Sequence, residues 1–535
     1  MTWLSWVLLL GYIGLSLALY RLFPRAGRKA SHALIPGYNM WVVSELVGRK
    51  GSYSLLLLIP WFNMIWFAGL MVDLARSFNR FGFFEHVLAV VASWGYFGWL
   101  GGQDPEYRGP ILVEEREWQA RLAAAEKAGD QREVRKLRNQ APFAKPVVRD
   151  WTEAAIFAIF AAALIRLLLI ESYIIPTPSM ENNLNVGDFL FVSKINYGLR
   201  LPETVLMLPL VHNRAPLVGG ESYIGGAGLP YRRLPALEKI DRYDPVVFNM
   251  PAGDSVYIFP YRTFSASDYE VGNIDERSYR AIQSGQTKLV TRPRDKKDHY
   301  VKRAVGLPGE TLEIKNRALY INGQQVEDPE GIQFRYVVNF TGVPNTRKWS
   351  EIGISAEDAV QQSATTYLIH LDQKQLETLK AGDPQATFEA VDQSQGRSPV
   401  ALYPHSAKYF GDWTMDNYGP VTIPARGMTV KLDERNYQLY WRPIKVYEGN
   451  DDFAMRGGKF YLNGQEITDY TFRQDYYWMM GDNRHNSEDS RIWGFVPEDH
   501  ILGKPLFIWF SIKEGSLFNG INWDRIFRSA TKQGE

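Results

Sequence analysis

Apolar positions crowd the first third of the chain in long runs, then shorten past residue 170 to runs of a few residues between polar ones. Four long runs stand out. Trp3–Tyr20 carries no charge and is about long enough for the ~20 helical residues that cross ~30 Å of hydrocarbon. Tyr53–Val72 is the second, interrupted by Pro60, a kink that membrane helices tolerate. Val87–Leu100 is shorter and rich in glycine. Trp151–Ile170 is the fourth, with Arg166 near its end, where the side chain can snorkel to the interface. A buried core helix accounts for one such run but not for four with flanking Trp and Tyr, so the pattern predicts a membrane-embedded helical region. Trp3–Tyr20 is not expected to be a cleaved leader. No basic residues precede it, and Arg21 with bulky neighbours follows in place of a small-residue cleavage site.

Past residue 170 the alternation becomes strand-like, in runs such as FLFVSK, PVVFNMP and LYINGQQV set between Gly and Pro. Ala318–Val326 (ALYINGQQV) and Lys459–Ile467 (KFYLNGQEI) form a weak repeat, each predicting a hairpin about an Asn-Gly turn. The polar, Tyr-rich stretch 327–458 between them, with a short helix over Gln373–Lys380, looks like an inserted module. The organisation expected is therefore a membrane region over 1–103 with three spans, a charged helical linker over 104–150 and a last anchor over 151–170. A β-rich domain over 171–326 and 459–535 follows, interrupted by the module at 327–458.

Charge turns this division into an orientation. The 535 residues hold 60 Lys and Arg against 59 Asp and Glu, a net of +1, with a mean hydropathy of −0.25 that alone reads as soluble. Residues 1–170 nevertheless carry 19 Lys/Arg against 13 Asp/Glu, and the remainder 41 against 46. Within the first part, residues 21–52 hold six Lys/Arg, 73–86 two and 101–150 ten. The positive-inside rule then places the first and third of these loops in the cytoplasm, with the N-terminus and everything after residue 170 outside. Glu114–Asn139 reads as a solvated cytoplasmic helix. The near-balance of charge argues against a nucleic-acid partner. The absence of cysteine excludes disulfides, thiolate nucleophiles and cysteine-ligated metal centres.

Three clusters could carry chemistry. Ser179 stands nine residues past the last apolar run in Ile174-Ile175-Pro176-Thr177-Pro178-Ser179-Met180, where two prolines stiffen the chain, although the same segment fits a linker. Lys302 lies in the apolar, strand-like His299–Gly306 before a Gly-Leu-Pro-Gly turn, where an edge-strand lysine is the plainer reading. Met479–Gly494 (MMGDNRHNSEDSRIWG) is dense in polar turn residues that a tight buried loop would also need.

Together and in this order, the three resemble bacterial type I signal peptidases, membrane-bound serine peptidases of the Ser–Lys kind. The resemblance covers residues 173–197, RYDPVVF at 242–248, 300–310 and 479–505, and leaves most of 200–240 and 311–475 unmatched. The N-terminal part is similar to extended members with four spans, through the paired signatures Ile35–Asn39 and Ile59–Asn63. It implies a helical transmembrane bundle of about four spans followed by a mainly-β catalytic domain of the signal peptidase fold. It also implies Ser179 as nucleophile, Lys302 as general base, an oxyanion hole from the Ser179 N–H and the Thr177 hydroxyl, and Ser487 orienting the amine. Asp489 and Arg491 would pair to fix their loop, with Asp482 and Arg484 as structural support. Tyr173, Ile175, Met180, Leu184, Leu190, Tyr300 and Val301 would line pockets that admit Ala one and three residues before the cut, the A-x-A end of secretory signal peptides. No cofactor or metal is called for. The partners implied are preprotein signal peptides, the lipid bilayer and the secretion translocon; the location implied is the bacterial cytoplasmic membrane, with the catalytic domain on the exterior, periplasmic side.

The chemistry sets a requirement on Lys302. A free lysine of pKa ~10.4 is neutral in only about one molecule in 2,500 at pH 7, and burial lowers that pKa by up to ~3–5 units. Tyr300, Val301 and Val305 suit that desolvation. The chain departs from the family pattern at Asn182-Asn183, where Pro-Thr is usual, and at Arg242-Tyr243-Asp244; His485 occupies a variable position. Two alternatives stand beside this reading: a Ser179–His485–Asp triad, and a catalytically silent membrane scaffold that binds exported proteins. A self-cleaving repressor on the same dyad would need a DNA-binding domain in place of the spans and is set aside. The Phe507–Phe510 run (FIWF) suits either the lipid interface or a buried strand.

Overall fold

The computed structural model describes residues 3–531 except 59–62, 140–142, 144–146, 205–206, 209, 212–220, 225–228, 252–254, 260–262, 267–268, 270–273, 288, 356–357 and 392–400. The chain folds as two compact units, Met1–Leu164 and Ile165–Glu535.

The first unit is helical. Helices α1 (Trp3–Leu22), α2 (Tyr38–Leu46), α3 (Asn63–Ser77), α4 (Phe83–Val91) and α5 (Ser93–Gly102) enclose a core that includes Leu19, Phe23, Val43, Leu70, Leu74 and Phe97. The outer face of α1 leaves Trp6, Leu8, Leu10, Ile13 and Leu17 exposed, which a soluble helix bundle would cover. Asn39 of the Ile35–Asn39 signature is buried, accepts a hydrogen bond from the Tyr12 hydroxyl (2.9 Å) and donates to Ser16 Oγ (3.0 Å), tying α2 to α1. Its counterpart signature lies outside the described residues but for Asn63, as does the kink expected at Pro60.

Among the described residues one stretch, Trp6–Ala26, is long and apolar enough to cross a membrane, in place of the four expected; Ala154–Leu168 is a shorter apolar helix. The second expected span comprises a 3₁₀ segment, Gly51–Leu58, and α3. The third breaks at Ala92 (φ −125°, ψ 44°), where Ser93 Oγ donates to Val90 O (3.0 Å). A serine bonding back onto the preceding turn competes with the helix ladder, and the glycines of α5 hold it only weakly. The charged linker likewise forms two helices rather than one, α6 (Ile111–Lys127) and α7 (Gln131–Arg138). Gly129 turns with φ 72°, and Asp130 caps α7 by accepting from the N–H groups of Arg132 and Glu133. Helix α8 (Val147–Leu168) follows.

The second unit is built on a seven-stranded antiparallel sheet. Its strands are β1 (Ile170–Ile174), β2 (Asp188–Ser193), β3 (Pro245–Asn249), β4 (His299–Gly306), β5 (Tyr476–Met480), β6 (Val496–Pro497) and β7 (Ile501–Ser511), in the order β1-β2-β7-β3-β4-β5-β6. Alternation along β3 separates two cores: Val247 joins Ile175, Leu190 and Ile508, while Val246 and Phe248 join Ala304, Met479 and Trp493. A third core gathers about Trp478, with Leu312, Tyr403, Tyr418, Phe472 and Phe495. Both expected hairpins form, each with an Asn-Gly pair at positive φ: Asn322 and Gly323 in one, Asn463 and Gly464 in the other. The FIWF run lies in β7, with Ile508 buried and Trp509 partly exposed beside Phe191.

The stretch 327–458 contributes two different pieces. Phe334–Asn339, Ala359–Gln361, Thr366–Leu371 and Thr387–Ala390 make a four-stranded sheet of their own, covered by helix Gln373–Gly382, with Val338, Ile369, Leu371 and Leu376 inside. That helix starts on a capping box between Asp372 and Gln375. Tyr418–Thr422 instead pairs with Thr311–Lys315, and its neighbours pack on Trp478.

Candidate active site

Ser179 reaches the site because β1 ends just before it. Ile175 N–H donates to Asp188 O (2.9 Å) and Gly187 N–H to Ile175 O (3.0 Å), closing the β1–β2 connection around a single 3₁₀ turn, Pro178–Met180. Pro178 takes the first position of the turn, which needs no N–H and suits its fixed φ. The Ser179 N–H follows it in the first turn of a helix, where backbone donors have no partner behind them. Thr177 precedes in an extended conformation (φ −137°, ψ 151°) with its side chain exposed. The loop beyond is held from the C-terminal end of the chain: Arg525 donates to both carboxylate oxygens of Asp188 (3.0 and 2.6 Å) and to Asn183 O (2.9 Å).

Lys302 arrives on β4, opposite Val246 of β3. Its Nζ lies 2.6 Å from Ser179 Oγ, with Lys302 and Ser179 only 3% and 8% exposed. Burial lowers the amine pKa against the opposing pull of Asp489, Glu488 and Asp482, bringing it to about 8. The ring of Tyr300, 5.6 Å from Nζ, covers the amine and itself packs edge-on against Trp493. Val305 has no part in this; it belongs to the Trp478 core. A buried amine whose neutral form is accessible near pH 8, set beside a hydroxyl, can take its proton and so raise a nucleophile.

Strand β5 brings the third cluster alongside, with Met480 opposite Arg303. The loop that follows passes so close to Ser179 that a Cβ on Gly481 would sit 2.5 Å from Ser179 O and 2.3 Å from Ser487 Oγ, so only glycine fits. Asn483 N–H donates to Ser179 O (3.2 Å). Ser487 is 7% exposed; no hydrogen bond joins its hydroxyl to the amine of Lys302, and the hydroxyl instead helps to stabilise the charge of Asp489. Asp489 and Arg491 do pair (2.7 Å), and Arg491 also holds Arg484 O (2.7 Å). Burial opposes the Asp489 charge, but Arg491 outweighs it and keeps the carboxyl below its ordinary value. Asp482 and Arg484 take separate partners: Arg303 grips Asp482 with two hydrogen bonds (2.6 and 2.9 Å), and Arg484 reaches Asp328 (2.6 Å). Arg303 was not singled out from sequence, although strand alternation beside Lys302 points it to the opposite face.

Six of the seven expected pocket residues gather in one apolar cluster, with Ile175, Met180, Leu184 and Leu190 buried and Tyr173 and Val301 packed against them. Tyr300 sits instead with Phe248 and Trp493. The Tyr173 hydroxyl donates to Glu171 (2.6 Å), itself paired with Lys194 and Arg166 (2.7 Å each), so Arg166 is engaged by a carboxylate rather than snorkelling alone. The triad alternative has no geometric support. His485 Nδ1 accepts from Arg335 N–H (3.1 Å) and Nε2 faces Asp416 Oδ1 (2.7 Å), so both ring nitrogens are engaged away from Ser179.

The family described as signal peptidase, peptidase S26, matches residues 148–350 and 423–510, over half of the chain. A family of unknown function (DUF5684) matches residues 32–110. A signal peptidase I of Buchnera aphidicola subsp. Baizongia pistaciae is 56% identical over 52 residues, 9% of this chain and 17% of that protein. One of Haemophilus influenzae is 40% identical over 108 residues, 20% and 30%. One of Buchnera aphidicola subsp. Acyrthosiphon pisum is 23% identical over 402 residues, 74% and 85%. The first two matches thus span less than a third of those relatives' length, and the third most of it.

Proposed function

The chain belongs to the signal peptidase family, peptidase S26, and from that premise we propose that it removes N-terminal signal peptides from exported preproteins by a Ser–Lys acyl-enzyme mechanism. The observation that carries the reading is the buried 2.6 Å contact between Lys302 Nζ and Ser179 Oγ. Neutral Lys302 takes the hydroxyl proton as Ser179 Oγ attacks the scissile carbonyl. The oxyanion meets the Ser179 N–H and the Thr177 hydroxyl, a donor pair aimed at charge that exists only after attack. Lys302 then returns its proton to the departing amine of the mature protein, leaving the signal peptide as an ester on Ser179. A water that loses its proton to Lys302 cleaves that ester. The apolar cluster around Ile175 and Leu190 suits Ala at the A-x-A positions.

The same reading has the chain cross the bacterial cytoplasmic membrane four times, the third crossing by a helix broken at Ala92. The Lys/Arg-rich segments 21–52 and 101–150 then face the cytoplasm and the catalytic unit the exterior. Its partners are the signal peptide, the bilayer and the translocon. The test is to incubate the purified chain with a synthetic A-x-A signal-peptide substrate, wild type beside Ser179→Ala, and read the cut by mass spectrometry. Cleavage after the A-x-A by wild type alone is expected. Cleavage by both forms, or by neither, would sink the proposal.

A further inference from the structure

One family departure read from sequence, Asn182, and one variable family position, His485, are also the places where the stretch 327–458 grips the active site. Asn182 has φ 72°, a conformation that the fixed ring of proline excludes and that asparagine tolerates. The departure is therefore a change in backbone path. It turns the side chain, three residues past the nucleophile, so that Asn182 Nδ2 donates to Gly331 O (3.1 Å) and to Asp372 Oδ2 (3.0 Å). Asp372 is the cap of helix Gln373–Gly382, and Gln375 of that helix donates to Asn182 Oδ1 (3.4 Å).

The second grip falls on the loop beside Lys302. Gln333 N–H donates to Asp482 O (2.9 Å), and Arg484 N–H returns a bond to Gln333 O (2.9 Å). Asn483 Nδ2 reaches Asp358 Oδ1 (3.3 Å). His485, 2% exposed, lies edge-on to Phe334, accepts from Arg335 N–H and donates Nε2–H to Asp416. Arg317 in turn donates to Asp416 (3.2 Å). The nucleophile turn and the loop after β5 lie about 300 positions apart in sequence; the sheet-and-helix piece of the stretch 327–458 bonds to both, and Asp416 of its other piece adds to the second.

We propose that two parts of the stretch 327–458 form a positioning clamp of the active site: Asp372, through Asn182, fixes the turn carrying Ser179, and Asp416, through His485, fixes the loop that supports Lys302, keeping the dyad in register. The clamp touches neither substrate nor reacting atoms and acts through these two residues. Alignment of reacting groups to within about 1 Å is worth on the order of a hundredfold in rate. Loss of a grip should therefore appear in kcat, while peptide binding along the apolar cluster stays as it was.

The proposal rests on the peptidase reading, and its test separates the two. Asn182→Gly keeps positive φ without strain and removes only the side-chain bonds. Asp416→Leu removes the acceptor for His485, and Asp416→Asn retains one. With the full chain and the synthetic A-x-A peptide, Asn182→Gly and Asp416→Leu should each lower kcat at least about tenfold with KM changed less than about twofold, and Asp416→Asn should stay within about threefold of wild type. The rising limb of the pH–rate profile should move to higher pH in the two impaired variants, as a loosened site lets water reach the amine. Wild-type kcat and pH profile in Asn182→Gly and Asp416→Leu overturn the clamp while leaving the peptidase reading intact. A rise in KM alone, or a fall in kcat that follows loss of the near-ultraviolet circular dichroism of the fold, overturns it as well. Failure of wild type to cut the peptide at all defeats the peptidase reading instead.

Discussion

With its pKa near 8, Lys302 is neutral in about one molecule in ten at pH 7, about two-hundredfold more often than a free lysine. The logarithm of kcat/KM should therefore climb with unit slope below pH 8 and level off above it, a limb readable from peptide cleavage between about pH 5 and 10. Glu181 also titrates in this range: burial, with Asp358 and Asp188 adding to it and Arg525 opposing, raises its carboxyl to about 8. Glu181→Gln should leave the limb in place if the limb belongs to Lys302. The same burial has the opposite sign for stability. A folded pKa below the unfolded 10.5 means that the unfolded chain holds the proton more tightly, so the lysine destabilises the fold in full below about pH 8. That penalty is relieved as pH rises from 8 toward 10.5. Lys302→Met should thus abolish cleavage yet raise the urea midpoint at pH 7, with the gain shrinking by pH 10. Thr177→Val tests the oxyanion hole apart from the base: kcat should fall about 10²–10³-fold with the pH limb unmoved.

At the scale of elements, the loop after β5 is held to β4 by Arg303 and Asp482, both essentially inaccessible to solvent. Removing one partner of such a pair strands the other's charge, so Asp482→Ala should cost about 3–5 kcal/mol, read from chemical unfolding of the full chain. Replacing both residues by apolar ones of similar volume should cost much less. This pair also marks where sequence reading stops. Ser179, Lys302, Asp489 and Arg491 stand in short motifs whose spacing carries their chemistry, and the Asn-Gly hairpins and the Gln373 helix announce themselves through local turn and cap signals. Arg303–Asp482 and Asn182–Asp372 join positions 179 and 190 residues apart, and no local pattern encodes such a meeting. The breaks at Ala92 and Gly129 were lost for a different reason: hydropathy averages over a window and does not register one residue leaving the helical region.

At the scale of the molecule, every residue assigned to the chemistry or to the grip on it lies between Tyr173 and Arg525, inside the unit Ile165–Glu535, which has its own closed cores. Cysteine-free, that unit holds together by packing and by buried pairs such as Arg303–Asp482. Residues 165–535 without the first unit should therefore fold and cut a soluble A-x-A peptide within about tenfold of the full chain. They should not become indifferent to lipid, because the catalytic unit leaves Leu517, Phe518, Trp523 and Phe527 exposed beyond β7. Aromatic residues of this kind favour the membrane–water boundary, and apolar side chains exposed together mark an interaction surface. Moving one such side chain out of water is worth about 1.5–3 kcal/mol. Phe518→Ser with Trp523→Ser in the truncated chain should therefore weaken co-sedimentation with phospholipid vesicles at least about tenfold while leaving soluble-peptide kcat/KM unchanged. Equal vesicle binding by the truncated chain and its double variant would show that Phe518 and Trp523 do not make the contact with the bilayer, and that the aromatic surface serves another purpose.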